Sequence, residues 1–200
     1  MTFRSGTDPC LSIFREVYET GALVFPPNAT VLEVGSAEAD WMTPMLAARP
    51  DLHLTGIDWR RHRRPGTVVQ ADVLTHVFPA ASFDVVVGIS SIEHIGLGHY
   101  DNDPADVDGD THCMQRVVQW LKPGGWVYAD VPHGPAFAVV DRTSHRVYDD
   151  ASWHARLIPP GLTVRQAWYT SGQTRGLHPR PVIPPEGCMA YVAFLAMKES

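Results

Sequence analysis

The chain has 200 residues, 44% of them hydrophobic and 19% charged, with a formal net charge of -6. That length suits one domain with a sizeable core and is too short for two ordinary ones. The acidic balance argues against a phosphate-backbone partner, which normally meets a basic face; the short run Arg60, Arg61, His62, Arg63, Arg64 reads as a solvated loop.

In chain order, residues 8–24 predict a helix, because Leu11, Phe14, Val17 and Tyr18 recur at helical spacing behind Asp8-Pro9. Pro26-Pro27-Asn28 breaks it. Residues 30–34 read as a short apolar strand, and 40–48 as a helix that must place Pro44 in its first turn. Strands follow at 52–57, 67–70 and 83–89, the last strongly β-branched. Residues 110–121 are helical through Met114, Val117, Val118 and Leu121, with Lys122-Pro123-Gly124-Gly125 as the stop and glycine as the cap. A fifth strand is expected at 126–131, and the last two at 162–169 and 189–197 around a proline-rich loop.

Strands alternating with helices mean a mostly parallel sheet covered on both faces. The last two strands follow each other without a helix, which suggests an antiparallel pair closing the sheet. The expected organisation is one domain over 1–200, with an N-terminal helical segment at 1–27 and substrate-side loops at 95–112, 133–150 and 171–187. Cys10, Cys113 and Cys188 are widely separated and form no CxxC pair, which argues against a zinc knuckle and fits a reducing cytoplasm. No signal peptide and no bilayer-length apolar stretch is seen. A cytoplasmic protein with no nucleic-acid or membrane partner is therefore expected.

The chemistry is carried by the ends of successive strands. Val31 to Ala37 is a strand ending in an acidic residue and a glycine, then leading toward a helix, which gathers backbone N–H groups at a positive helix end. Only Gly35 is present where a dinucleotide fingerprint would need GxGxxG, and Ala37 and Ala39 stand where further glycines would be expected. Asp58 ends the second strand 23 residues after Gly35, where a carboxylate can accept from both hydroxyls of a ribose. Asp72, just after the third strand, can take an adenine amino group, with Trp59 and Val73 flanking the ring. Each aspartate alone is an ordinary turn residue. Together they mark the carboxyl edge of the sheet, where open α/β folds bind ligands.

Six segments, Val31-Leu32-Glu33-Val34-Gly35-Ser36, Gly56-Ile57-Asp58, Gln70-Ala71-Asp72-Val73, Ser82-Phe83-Asp84-Val85-Val86, Glu93-His94-Ile95 and Leu121-Lys122-Pro123-Gly124-Gly125, resemble in order and spacing the motifs of class I (Rossmann-like) S-adenosylmethionine-dependent methyltransferases. The resemblance covers about residues 28–132. It implies a three-layer αβα sandwich whose seven-stranded sheet has the order 3-2-1-4-5-7-6 with an antiparallel last strand. It implies S-adenosyl-L-methionine as cofactor and S-adenosyl-L-homocysteine as product. In site terms it puts Glu33, Gly35, Ser36 and Ala37 at the first turn, with Gly35 beside the methionine moiety. Asp58 and Trp59 go to the ribose and adenine, Asp72 and Val73 to the adenine, and the backbone near Ile89 and Ser90 to the methionine amino group.

Methyl transfer from a sulfonium is an in-line displacement, in which positioning supplies about 7–11 kcal/mol of barrier reduction. An oxygen nucleophile also needs a base, usually histidine. His94 and His133, after the fourth and fifth strands, are the catalytic candidates, and His99, His145 and Tyr148 the substrate-side ones. Trp153, His154, Trp168 and Tyr169 read as core. The acidic stretch with Asp101, Asp103, Asp106, Asp108 and Asp110 lacks the glutamate of an EF-hand. Glu93 and His94 match only part of a Glu-x-x-Glu-His metal pattern, since Ser90 stands where its first carboxylate would be. A polar, helix-capping loop is the simpler reading, and no metal is expected. The expected acceptor is an oxygen or nitrogen of a small molecule or sugar, with a homodimer left open. A non-catalytic cofactor-binding member of the fold, or a nicotinamide-dependent oxidoreductase, are the alternatives.

Overall fold

In the computed structural model, residues 9–37, 40–62, 66–100, 105–140, 144–171, 174–184 and 189–200 are described. Asp8, Ala39, Arg63, Arg64, Asp101, Asp103 and Cys188 lie outside them.

Among the described residues there are ten strands and four α-helices. They are α1 (Pro9–Glu19), β1 (Thr30–Val34), α2 (Met42–Ala48), β2 (His53–Asp58), β3 (Thr67–Gln70), β4 (Phe83–Ile89), α3 (Gly109–Trp120), β5 (Leu121–His133), β6 (Ala138–Val140), β7 (His145–Val147), α4 (Asp150–Leu157), β8 (Leu162–Ser171), β9 (Thr174–His178) and β10 (Ala190–Lys198). The main sheet has eight strands in the order β3-β2-β1-β4-β5-β10-β8-β9. Strands β1 to β5 run parallel, and β10 is antiparallel to both β5 and β8. The expected order therefore holds across seven strands, with β8 and β10 as the sixth and seventh. The eighth, β9, is an addition that pairs Ser171 with Thr174 and Tyr169 with His178. It falls inside the 171–187 segment expected to be loop. A second small sheet, β6-β7, lies inside the expected 133–150 loop.

The central parallel strands β1 and β4 are buried because both their faces are covered. In β4, Phe83 and Val85 to Ile89 are all buried, the near-continuous apolar run that a doubly covered strand requires. Odd and even positions feed two cores. One face packs Phe14, Val17, Trp41, Met45, Val85, Val87 and Tyr128 beneath α1 and α2, with the Phe14 ring 5.0 Å from Trp41 and 5.2 Å from Tyr128. The other packs Leu32, Val86, Met114, Val117, Trp120, Trp153 and Phe194 beneath α3 and α4, with Trp153 stacked on Phe194 at 5.3 Å.

Two helix ends and one additional helix differ from expectation for local reasons. Helix α1 stops at Glu19 because Gly21 turns left-handed at φ 76° and the Thr20 hydroxyl donates to the Val17 carbonyl. Helix α3 ends at Trp120, so the glycines are not its cap. Leu121 is already extended (φ -66°, ψ 139°), and Gly124, at φ 75°, turns the chain within β5. Helix α4 was not expected as an element; a reciprocal capping box between Asp149 and Ser152 starts it. Among the described residues no helix is long and apolar enough to cross a membrane.

Cys113 sits in the α3 core at 0% exposure, where burial, reinforced by the charge of Asp110, pushes its thiol up to about 12. Since the thiolate is the nucleophile, iodoacetamide at pH 8 should leave Cys113 unmodified in the folded protein and modify it fully in denaturant. Peptide mapping by mass spectrometry reads both. Rapid labelling of the native protein would contradict this packing.

Candidate functional site

The turns after β1, β2 and β4 meet at the carboxyl edge of the sheet. Gly35 holds φ 79° and donates its N–H to the Ile57 carbonyl at 2.9 Å. A Cβ on Gly35 would lie 2.3 Å from the Cβ of Ser91, so this residue must be glycine twice over, for conformation and for space. The Ser91 hydroxyl closes the same contact by donating to the Val34 carbonyl at 2.7 Å. Glu33 is buried at 1% exposure and accepts the Trp41 indole N–H at 2.7 Å. It therefore ties α2 to β1. Ser36 is fully buried, with its hydroxyl 2.8 Å from His62 Nε2; because His62 Nδ1 faces the Arg60 carbonyl, Nε2 accepts from Ser36.

Asp58 is 7% exposed, and its carboxylate is engaged by its own chain. It accepts the Ala37 N–H at 3.0 Å, the Arg60 N–H at 2.8 Å and the Arg60 Nε–H at 3.2 Å. The Arg60 guanidinium also lies over the Tyr100 ring at 4.2 Å. The basic run is thus not wholly a solvated loop: Arg60 and His62 fold back on the first turn. Beside them opens a cleft of about 360 Å³ lined by Trp59, Arg60, Arg61, Gln70 and Ala71. Trp59 is 39% exposed there. Asp72 uses its carboxylate to hold its own turn, accepting the Leu74 N–H at 2.8 Å, while Val73 is buried in the core.

At the end of β4, Ile89 is buried and Ser90 adopts φ 42°. The Ser90 N–H donates to Asp130 Oδ1 at 3.0 Å and its hydroxyl to Glu93 Oε1 at 2.6 Å. His94 donates from Nδ1 to the Ser144 carbonyl at 2.5 Å, and its Nε2 lies 3.7 Å from Glu93 Oε1. Its ring is 6.4 Å from His99, 6.0 Å from His145 and 5.3 Å from Tyr100. The structure thus brings the catalytic candidate His94 together with the two substrate-side histidines, His99 and His145. His133 has other neighbours: its Nε2 is 3.2 Å from Asp150 Oδ1, which also accepts the Tyr169 hydroxyl at 2.7 Å. Burial raises the Tyr169 phenol to about 12, helped by Asp150.

One expectation is corrected. Tyr148 is fully buried and donates its hydroxyl to Asp110 at 2.8 Å, so it is core and does not line an open substrate surface. The aspartates of the acidic stretch that are described serve the fold. Asp106 pairs with His112 at 2.6 Å, and Asp110 receives Arg156 at 2.6 and 2.8 Å. Among the described residues no group of three His, Cys, Asp or Glu side chains is placed to hold a metal ion.

Sequence reasoning missed Arg146 and Asp130, both at 0% exposure. Arg146 donates to the carbonyls of Glu93, Ile95, Asp106 and Val107 at 2.8–3.3 Å and lies 3.6 Å from Asp110. It clamps both ends of the stretch after β4 onto β7. The only signal was a charge set in the short run His145-Arg146-Val147. For Asp130 it was a lone acid inside an otherwise apolar strand.

Solved structures agree with this architecture. A family model described as Caenorhabditis protein of unknown function, DUF268, matches residues 67–157. A search of curated proteins by sequence finds no match. Among solved structures, a 1,6-didemethyltoxoflavin-N1-methyltransferase from Burkholderia thailandensis, crystallised with 1,6-didemethyltoxoflavin and S-adenosylhomocysteine, superposes with a TM-score of 0.65 at 16% identity, covering 98% of this chain and 79% of that one. An S-adenosylmethionine-dependent methyltransferase from Methanosarcina mazei gives 0.60 at 13% identity over 88% and 94%. The chain has the class I methyltransferase fold. The (4+2)-cyclase SpnF also matches, with a TM-score of 0.69 at 14% identity over 94% of this chain and 80% of that one.

Two substitutions test this edge. Gly35→Ala should lower the melting temperature by at least about 2 °C, since left-handed backbone alone costs an alanine about 1–2 kcal/mol and each kcal/mol moves a domain of this size by about 2–4 °C. An unchanged melting temperature would mean the two turns are not in contact. Arg146→Ala should cost about 3–5 kcal/mol in urea denaturation, because Asp110 loses a buried partner and four carbonyls lose their donor. A loss under about 1 kcal/mol would place Arg146 at the surface.

Proposed function

We propose that this chain is an S-adenosylmethionine-dependent methyltransferase acting on an oxygen or nitrogen of a small molecule or sugar. The observation that carries the reading is the convergence of the Gly35, Asp58 and Ser90 turns on one carboxyl edge of the sheet, next to a cleft lined by Trp59 and Gln70. The residues there suit an adenosyl group. Trp59 offers a ring face, Gln70 an amide, Asp58 a carboxylate at the place a ribose would need one, and the Ser90 turn a backbone for the amino-acid end. The cofactor would supply a methyl group on a sulfonium, which is its own leaving group. The chain's part is then to hold an acceptor in line and to take a proton from it.

His94 is the better-built base. With Nδ1 committed to the Ser144 carbonyl, Nε2 is the basic nitrogen, and the neighbouring Glu93 carboxylate would stabilise it once protonated. His99 and His145 would line the acceptor side. His133, oriented by Asp150, is the second candidate. Ribose binding at Asp58 would require the Arg60 side chain to leave the carboxylate it now occupies.

That same engagement of Asp58 favours a second reading, a member of the fold that does not transfer methyl groups. The fold-level match to a cyclase is compatible with it.

Differential scanning with S-adenosylhomocysteine tests the first step. Ligand at a hundredfold excess over its Kd should raise the melting temperature by about 5–10 °C. No shift at millimolar ligand with a folded protein sinks the cofactor reading. Binding without transfer of labelled methyl to any member of a metabolite panel would favour the second one.

A further inference from the structure

The neighbourhood of Ser90 holds a device that the methyltransferase reading does not by itself require. Ser90 is not glycine, yet its backbone is left-handed at φ 42°, in a region L-residues avoid unless the surroundings hold them there. Three groups do so. Asp130, which the parallel register sets opposite Ile89, accepts the Ser90 N–H at 3.0 Å. Glu93 accepts the Ser90 hydroxyl at 2.6 Å. Ser91, the next residue, is tied to the Val34 carbonyl and packed on Gly35.

Of these, Asp130 alone acts on the Ser90 backbone from another strand. Its carboxyl is fully buried, and Tyr128 fixes it from behind by donating to Oδ2 at 2.8 Å. Both oxygens are thus held in place, and the rigid strand β5 carries the acceptor. Burial, with the nearby Glu93 carboxylate, keeps this carboxyl well above the ordinary range. Accepting an N–H needs only a lone pair, so a neutral group can do this work.

We propose that Asp130 is a positioning residue for the methionine end of the adenosyl site: its buried carboxyl oxygen holds the Ser90 turn in the left-handed conformation that presents the backbone of Ile89 and Ser90 to the cofactor's amino group. The role rests on the cofactor reading above. It makes the acceptor geometry at β5 a determinant of cofactor affinity, although Asp130 itself lies beneath the turn.

The test compares wild type, Asp130→Asn and Asp130→Ala by S-adenosylhomocysteine calorimetry and by hydrogen exchange at the Ser90 amide, with circular dichroism confirming the fold. Asparagine keeps an acceptor oxygen, so its Kd should stay within about threefold of wild type and the Ser90 amide should stay protected. Alanine removes the acceptor; Kd should rise by at least about tenfold and the amide should lose protection. An alanine variant that binds within threefold of wild type overturns the role of Asp130 alone. So does an asparagine variant as weak as alanine, because charge rather than acceptor geometry would then matter. Wild-type protein that binds no S-adenosylhomocysteine overturns the cofactor reading and this role with it. Exchange at the Ser90 amide in wild type needs no variant: a free-peptide rate in the folded protein overturns the role even if the alanine variant fails to fold.

Discussion

The contact between the turn after β1 and the turn after β4 sets the geometry of the whole carboxyl edge. It exists because Gly35 has no side chain. The Ser91 Cβ occupies the space that a Cβ on Gly35 would need, and the Ser91 hydroxyl bonds the Val34 carbonyl across the same gap. Two central parallel strands are thereby locked at their ends at backbone distance. The other groups of the site take their positions from it: Ser36 and its partner His62, Ala37 on Asp58, and Ser90 on Asp130.

Arg146, Asp110 and Glu33 are buried charged groups that join elements of the fold. Ionised groups leave water only when paired or fully hydrogen-bonded. Arg146 satisfies this with four carbonyls and Asp110, and Asp110 in turn binds Arg156 and Tyr148. The result is a rigid join between the segment after β4 and the small β6-β7 sheet, on the side where His94, His99 and His145 gather. A stretch that looked like a polar loop is anchored at both ends. On the opposite core, Glu33 and Trp41 couple α2 to β1 in the same manner.

Much of the fold was legible along the chain because parallel strands buried on both faces leave a strong local signature. The runs at 30–34 and 83–89 coincide with the observed strands, as does the half-exposed edge run at 67–70, and α3 follows its apolar spacing within a residue at each end. The added strand β9 was not legible. Thr-Arg-Gly-Leu-His has neither alternation nor β-branched enrichment, and it is a strand only because the edge of β8 offers it hydrogen bonds. Likewise Lys122-Pro123-Gly124-Gly125 has the composition of a helix stop, yet pairing with β4 and the extended Leu121 make it the entrance to β5.

For the candidate site, the sequence by itself determined which strand ends carry Gly35, Asp58, Asp72, Ser90, His94 and His133. A strand's end and its parallel neighbours follow from local pattern and from the chirality of crossover connections. Tertiary structure alone decided what each side chain does there. It turned Arg60 onto Asp58, committed His94 Nδ1 to Ser144, buried Tyr148 against Asp110 and placed Asp130 under Ser90, 40 residues away. A hydrogen bond depends on angles and on distances of a few tenths of an ångström between groups remote in sequence, and no periodicity along the chain encodes those.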